Sequence, residues 1–295
     1  MKLAAIDIGS NAARLLISEA SPNSLGRMDF TKVNFLRVPL RLGVDVFTNG
    51  TITEKRADHL LKTIQAYKLL LEVYEVKHLK ACATSAMRDA SNSAEILDKV
   101  KTQTGIDIQV ISGQEEASFL FESHVAEHLD KSRSYMYVDV GGGSTEITLF
   151  SNNALVHKES FNIGTIRLLQ KQVTDEQWQY MKETIKQRIK GLSAVTVIGS
   201  GGNINKVFSL SKRKEGKPLT LDVLKDYYKE FSSFTVEERI HLYNLREDRA
   251  DVIVPALQIY VNVMRWADAT EIYVPKIGLA DGLIQSLYAE VSHNK

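Results

Sequence analysis

The chain carries one glycine-turn hairpin pattern twice, and this duplication constrains the fold more than any other feature. The clearer copy is residues 137–150, YVDVGGGSTEITLF. β-type residues flank a tight glycine turn, which predicts strand, turn, strand. Gly141, Gly142 and Gly143 cost backbone entropy that a packed fold rarely carries without a use. With no Cβ in the way, successive N–H groups can line one concavity and hold an anion such as phosphate. Ser144 and Thr145 add hydroxyl donors. Asp139 and Glu146 bring carboxylates to the two ends of the loop, where Mg2+ carried by a phosphate substrate can be held. Taken alone, the stretch also reads as a glycine-rich turn with no ligand.

Residues 4–17, AAIDIGSNAARLLI, repeat the pattern. Asp7 aligns with Asp139 and Gly9 with Gly141, while Ser10 and Asn11 stand where Gly142 and Gly143 stand. Two such loops far apart in one chain predict two similar halves facing each other across a cleft. No Gly-Lys-Ser/Thr follows either loop, which excludes a Walker A motif. The segment after the glycines reads as strand, which excludes a dinucleotide fingerprint.

A length of 295 residues suits two domains. A net charge of +1 gives no global attraction to nucleic acid or membrane. The one concentrated basic stretch, KRKEGKP at residues 212–218, is ordinarily a solvated loop, although near a cleft it would attract a long polyanion. The single cysteine, Cys82, rules out an internal disulfide and fits a reducing compartment, buried as a small apolar residue. Met1 runs straight into an apolar strand with no secretory pattern, so a cytoplasmic location is expected.

In chain order, residues 3–8 predict a buried central strand, Arg14 to Ser18 its hairpin partner, and residues 28–42 further strands. Arg37 and Arg41 lie either near the first loop or on a solvated edge. Thr53 is placed as the N-cap of a helix running to about Tyr74. After a short strand at 79–83, Thr84, Ser85 and Arg88 sit at a strand-to-helix junction, where free N–H groups and an arginine fork suit phosphate, and where Thr84 and Ser85 equally read as a simple helix cap. Residues 92–103 predict a helix closed by Gly105, and Ile106 to Ile111 a strand. Gln114, Glu115 and Glu116 open the next helix. Acidic residues suit a helix N-terminus in any case, and the functional alternative is that one glutamate orients a water. Residues 129–134 are the candidate domain crossover. Thr174 to Gln177 predicts a capping box. A third glycine loop, GSGGN at 199–203, is expected either to hold a nucleotide or second phosphate at a helix N-terminus or to be a plain tight turn. Residues 249–268 predict one buried helix. Strands then helices, in two rounds, predict α/β layers.

Seven segments together resemble the exopolyphosphatase/guanosine pentaphosphate phosphohydrolase family of the actin-like, sugar-kinase and Hsp70 ATPase superfamily. They are AIDIGSNAARLL, CATSAMRDASN, VISGQEEASFLF, YVDVGGGSTEITLF, FNIGTIRL, RADVIVPAL and GLADGLI, in the family's order and covering nearly the whole chain. The resemblance implies an α/β fold of two ribonuclease H-like (actin-like ATPase) domains with an interdomain cleft. These are residues 1–128, with the first loop and the catalytic glutamate, and 129–295, with the second loop and a last helix that can pack back on the first domain. It implies an enzyme that hydrolyses a terminal phosphoanhydride with Mg2+, on inorganic polyphosphate or guanosine pentaphosphate, with a homodimer as a candidate assembly. The family's catalytic glutamate falls on Glu116, and Glu115 is the alternative. Its arginine falls on Arg88, its phosphate loops on Gly9, Ser10, Asn11 and on Gly141, Gly142, Gly143, Ser144, Thr145, and its metal-associated carboxylates on Asp139 and Glu146. Ala12 stands where the family commonly has a serine, and GSGGN where a GTSGTA-like segment is common. The extra C-terminal helical region of longer members is not expected. An ATP-dependent phosphotransferase of the same fold, and a polyphosphate or alarmone sensor without turnover, are the competing classes.

Overall fold

Lys2–Ile8 is an apolar run that forms β1, and it is central because both its edges are paired. The structure, a computed structural model, describes residues 1–24, 28–122, 133–152, 154–192, 195–275 and 278–293. The expected crossover and the expected 128/129 boundary lie outside those residues, apart from Arg133 and Ser134. β2 (Ala12–Pro22) and β3 (Met28–Pro39) extend the sheet antiparallel on one side of β1. The expected strand to residue 42 stops earlier. The N–H groups of Leu40 and Arg41 turn to the Asn11 carbonyl, and Arg41 takes a left-handed conformation with φ 53°. The chain then enters α1 (Leu42–Asn49), a helix the sequence reading did not anticipate.

α2 (Glu54–Val73) follows Thr53 at the N-cap position. The Thr53 hydroxyl donates instead to Asp45 Oδ2 at 2.6 Å, beside an Arg56–Asp45 ion pair. β4 (His78–Ala83) lies parallel to β1 on its other edge. α3 (Ser85–Asp89) and α4 (Ser93–Thr104) follow, with Gly105 closing α4 in the left-handed region. Of the expected strand 106–111, only β5 (Gln109–Val110) pairs, parallel to β4. Ile106 and Ile108 bury as the alternation predicts, but the pattern then breaks, with Val110 exposed and Ile111 buried. α5 (Gly113–Glu122) is next. The strand order is β3-β2-β1-β4-β5.

The second sheet repeats this plan. β6 (Ser134–Val140) pairs antiparallel with β7 (Thr145–Ser151), and β7 antiparallel with β8 (Ala154–Phe161). α6 (Thr165–Leu169) and α7 (Asp175–Ile189) follow, and the Thr174–Gln177 capping box forms as read from the sequence. β9 (Val195–Ser200) lies parallel to β6 and leads into α8 (Gly202–Leu210). Residues 212–217 are exposed. β10 (Leu219–Thr220), α9 (Leu221–Ser232), α10 (Val236–Tyr243) and α11 (Glu247–Ala250) precede α12 (Ile253–Trp266). The expected continuous helix from Arg249 breaks at residues 251–252. Pro255 then falls in the first turn of α12, where its missing N–H has no helical acceptor to serve. β11 (Glu271–Tyr273) joins β9 in parallel, giving the order β10-β11-β9-β6-β7-β8. α13 (Leu279–His293) ends the chain.

The chain divides into two compact units, Met1–Ala126 with Gly278–Lys295, and Glu127–Ile277. α13 packs in the first unit, where Leu283 and Ile284 join Leu3, Ala5 and Leu16 in one apolar cluster. In the second, Met136, Val138 and Val197 meet Ile253, Leu257 and Tyr260. Cys82 is buried and free, and burial pushes its thiol up to about 12. No helix among the described residues is long and apolar enough to cross a membrane.

Candidate functional site

Each glycine loop closes in the same way. Gly9 N–H donates to Ala12 O at 3.0 Å, and Gly141 N–H to Ser144 O at 2.9 Å. Each is then backed by the helix that follows its hairpin. In the first unit, Gly43 N–H at the start of α1 donates to Ser10 O (2.8 Å), while Leu40 and Arg41 N–H donate to Asn11 O. In the second, Thr165 and Ile166 N–H at the start of α6 donate to Gly141 O (3.0 Å) and Gly142 O (2.8 Å), and Arg167 Nε donates to Gly143 O (2.8 Å).

These bonds decide where the loop amides point. A trans peptide holds its C=O and N–H on opposite sides, and no peptide here is cis among the described residues. Carbonyls drawn onto the supporting helix therefore turn the N–H groups of Gly142, Gly143 and Ser144 the other way. The same holds for those of Asn11 and Ala12 in the first loop. A row of amides facing one side is an anion-binding arrangement. The backbones must nearly touch to achieve it, since a Cβ on Gly164 would lie 2.4 Å from Gly142 O. Gly164 and Arg167, which support the second loop, were not singled out from the sequence. Their signal was the Gly-Thr-Ile-Arg run at the start of α6.

The expected hydroxyl donors are turned inward. Ser144 Oγ donates to Glu146 Oε1 (2.6 Å) and Thr145 Oγ1 to Ile163 O (2.6 Å). Ser10 and Ser85 share a buried hydroxyl contact at 2.7 Å, which ties the first loop to α3. Thr84 N–H donates to Ile8 O (3.0 Å). Arg88 reaches across to the Ile111 carbonyl (2.8 Å), so one of its nitrogens anchors the segment that enters α5.

The two loops differ in charge at one equivalent pair. Asp7 faces Arg14 across the first hairpin, and the two form an ion pair with Asp7 buried. Asp139 faces Glu146 in the corresponding register, with carboxylate oxygens within 4.8 Å of each other. Glu146 is 2% exposed, and its Oε1 accepts from both Ser144 and Ser160 (2.8 Å). Two carboxylates held this close suit a hard divalent cation that takes oxygen ligands, so the donor set fits Mg2+.

Glu115 and Glu116 separate cleanly. The Glu115 carboxylate accepts from Ser112 N–H and Oγ, both at 2.8 Å, and Ser112 Oγ accepts from Glu115 N–H in return. That reciprocal cap uses Glu115 locally. Glu116 is on the buried side of α5. The third glycine loop follows β9, with its Ser200 carbonyl bonded by Tyr260 and its Gly202 carbonyl by Arg249. Arg41 meets the first loop through its backbone, and Arg37 sits opposite Arg14 on β3.

Two copies of a strand 3-2-1-4-5 sheet, with antiparallel 3-2-1 and parallel 1-4-5, define a ribonuclease H-like protein of the actin-like ATPase fold. Within that fold the chain belongs to the Ppx/GppA phosphatase family, which it matches over residues 20–290. It is 26% identical over 305 aligned residues to exopolyphosphatase 1 of Mycobacterium tuberculosis, covering 96% of this chain and 87% of the relative. It is 30% identical over 229 residues to the bifunctional 3-dehydroquinate synthase/phosphatase of Fusobacterium nucleatum, covering 72% of this chain but only 34% of that longer protein. Among solved structures, an exopolyphosphatase from Cytophaga hutchinsonii superposes with a TM-score of 0.84 at 25% identity, covering 99% of this chain and 98% of that one. The Aquifex aeolicus Ppx/GppA family member gives 0.78 at 25% identity, covering 100% and 99%. The chain is thus an enzyme of a phosphatase family.

Proposed function

We propose that this chain is an exopolyphosphatase that removes the terminal phosphate of inorganic polyphosphate as orthophosphate. The observation that carries the reading is the turned amide row of both glycine loops, each imposed by a helix that takes the loop carbonyls. Such rows offer preorganised donors to phosphoryl oxygens as charge shifts in the transition state. Because the Ser144 and Thr145 hydroxyl protons are committed inward, the loop contacts are made by backbone N–H, with Gly9, Ser10, Asn11 and Gly141 to Thr145 shaping them. Arg88 adds charge near the first loop.

Glu116 positions the attacking water and accepts its proton. Glu115 does not serve, because its carboxylate is the cap of its own helix. Asp139 and Glu146 are the residues that would hold Mg2+, with the Glu146 orientation fixed by Ser144 and Ser160. When bound, the ion supplies charge neutralisation for the departing phosphate. A leaving group that is itself a phosphate chain needs little acid assistance.

Phosphate release with Mg2+ from long polyphosphate, short polyphosphate, guanosine pentaphosphate and ATP, side by side, tests the reading. Release from polyphosphate that is lost in Glu116→Gln and kept in Glu115→Gln is the expected result. Preference for guanosine pentaphosphate would move the substrate to the alarmone. Transfer from ATP to an acceptor would indicate a phosphotransferase, and ligand binding with no release from any of the four would indicate a sensor.

A further inference from the structure

The third glycine loop does work inside the second unit that its sequence did not reveal. Each of its glycines is accounted for by a neighbour in that unit. A Cβ on Gly199 would lie 2.7 Å from Ile272 Cδ1 and 3.3 Å from the Tyr260 ring. A Cβ on Gly202 would lie 3.0 Å from Arg249 Nη2. A Cβ on Gly201 would lie 3.0 Å from Asp139 Oδ1 and 3.3 Å from Val140 O. Gly201 also has φ 112° and ψ 158°, a region essentially closed to other residues.

The register explains the contact. β9 runs parallel to β6, with Ser200 opposite Asp139, so the loop leaving β9 passes directly over the Asp139 carboxylate. Tyr260 pins the loop there. Its ring is 1% exposed in α12, and its hydroxyl donates to Ser200 O. Burial first, and then the nearby Asp139 charge, push the Tyr260 phenol well above its ordinary value.

We infer that Gly201 and Tyr260 are positioning residues for Asp139. The loop forms a wall that confines the carboxylate on one side, and Tyr260 fixes the wall to the helix layer beneath. This rests on the proposed role of Asp139 in holding a divalent cation. It assigns the loop a structural purpose toward that cation, in place of a nucleotide contact. Supporting residues behind a metal ligand set its orientation, and their loss typically weakens metal affinity about 10–100-fold.

The test is binding of Mn2+ alone to the full chain, followed by electron paramagnetic resonance of the free ion, with circular dichroism to confirm folding. Tyr260→Phe keeps the ring against Gly199 and removes the hydroxyl's bond to Ser200 O together with its hydrogen bond from the Val140 backbone. It is expected to raise the Mn2+ Kd about 10-fold. Gly201→Ala is expected to raise it at least as much, and if that variant does not fold, Tyr260→Phe decides alone. Neither change should add to the loss in Asp139→Asn. Folded Tyr260→Phe binding Mn2+ like the wild type, while Asp139→Asn binds it weakly, overturns this inference and leaves the carboxylate pair standing. Unchanged Mn2+ binding in Asp139→Asn removes the cation role itself, and the inference with it.

Discussion

Replacing Gly164 with alanine tests the geometry of the second loop more directly than any change in the loop itself. The added Cβ would sit 2.4 Å from Gly142 O and 2.4 Å from Gly143 C, where ordinary contact starts at 3.4 Å. Both neighbours are backbone atoms, so no side chain can swing aside, and the loop and α6 must separate by about 1 Å. The bonds from Thr165 and Ile166 N–H, now 3.0 and 2.8 Å long, would be lost at that separation. At about 1 kcal/mol net each, the stability loss is at least ~2 kcal/mol, and more if the freed carbonyls stay buried. If the loop binds phosphate as proposed, displacing it by about 1 Å should lower kcat/KM on polyphosphate on the order of 100-fold. Urea denaturation reads the first effect and orthophosphate release the second. Gly278→Ala is the control, because a Cβ there meets nothing within 4 Å. A Gly164→Ala enzyme with wild-type stability and turnover would refute the account of how the loop amides are aimed.

Further changes probe the first unit. Gly282 is where α13 crosses α5, and a Cβ there would lie 1.7 Å from Phe119 O. Gly282→Ala should cost about 3 kcal/mol by overpacking and, on the proposed role of Glu116, lower turnover by shifting the helix that carries it, both measurable in the same two assays. Arg14→Met leaves the buried Asp7 carboxylate uncompensated, with an expected loss of about 3–5 kcal/mol in urea unfolding. The Asp7→Asn/Arg14→Met double variant should recover part of it. Asp45 carries the acid-side prediction. Desolvation raises its pKa, but bonds from Thr53 and Arg56 outweigh that and hold it below the ordinary carboxylate value. A depressed folded pKa contributes stability above the unfolded value, and the contribution disappears as pH falls through the folded one. Asp45→Asn should therefore reduce thermal stability at neutral pH and converge with wild type below about pH 4. A constant difference between the two down to acid pH would contradict that origin.

Much of the architecture was legible because it is written in local pattern. The apolar run of β1, the Thr174–Gln177 box and Gly105 after α4 depend on neighbours within a few residues. Periodicity and capping chemistry report such neighbours directly. The duplicated Asp-x-Gly turns were visible for the same reason, since a tight turn must be encoded where it occurs. What misled the reading was long-range. The strand expected to run to residue 42 ends because its N–H groups bond Asn11, a residue far back in the chain. Thr53 is a helix-cap residue whose hydroxyl is claimed by Asp45.

By itself, then, the sequence determined the two α/β halves, their turn chemistry and the candidate residues for phosphate and a cation. Only the tertiary structure decided which atoms of that set are available. Ser144 and Thr145 look like donors in the chain, yet packing commits their hydroxyls to Glu146 and Ile163. Glu115 and Glu116 are adjacent and chemically alike, yet Ser112 takes one of them. The need for glycine at 164 and 201 is set by a carbonyl and a carboxylate that distant parts of the chain bring within 2.4 and 3.0 Å of where a Cβ would stand. Hydrogen-bond capacity is a property of residue type, whereas its use depends on which partner the fold places within reach.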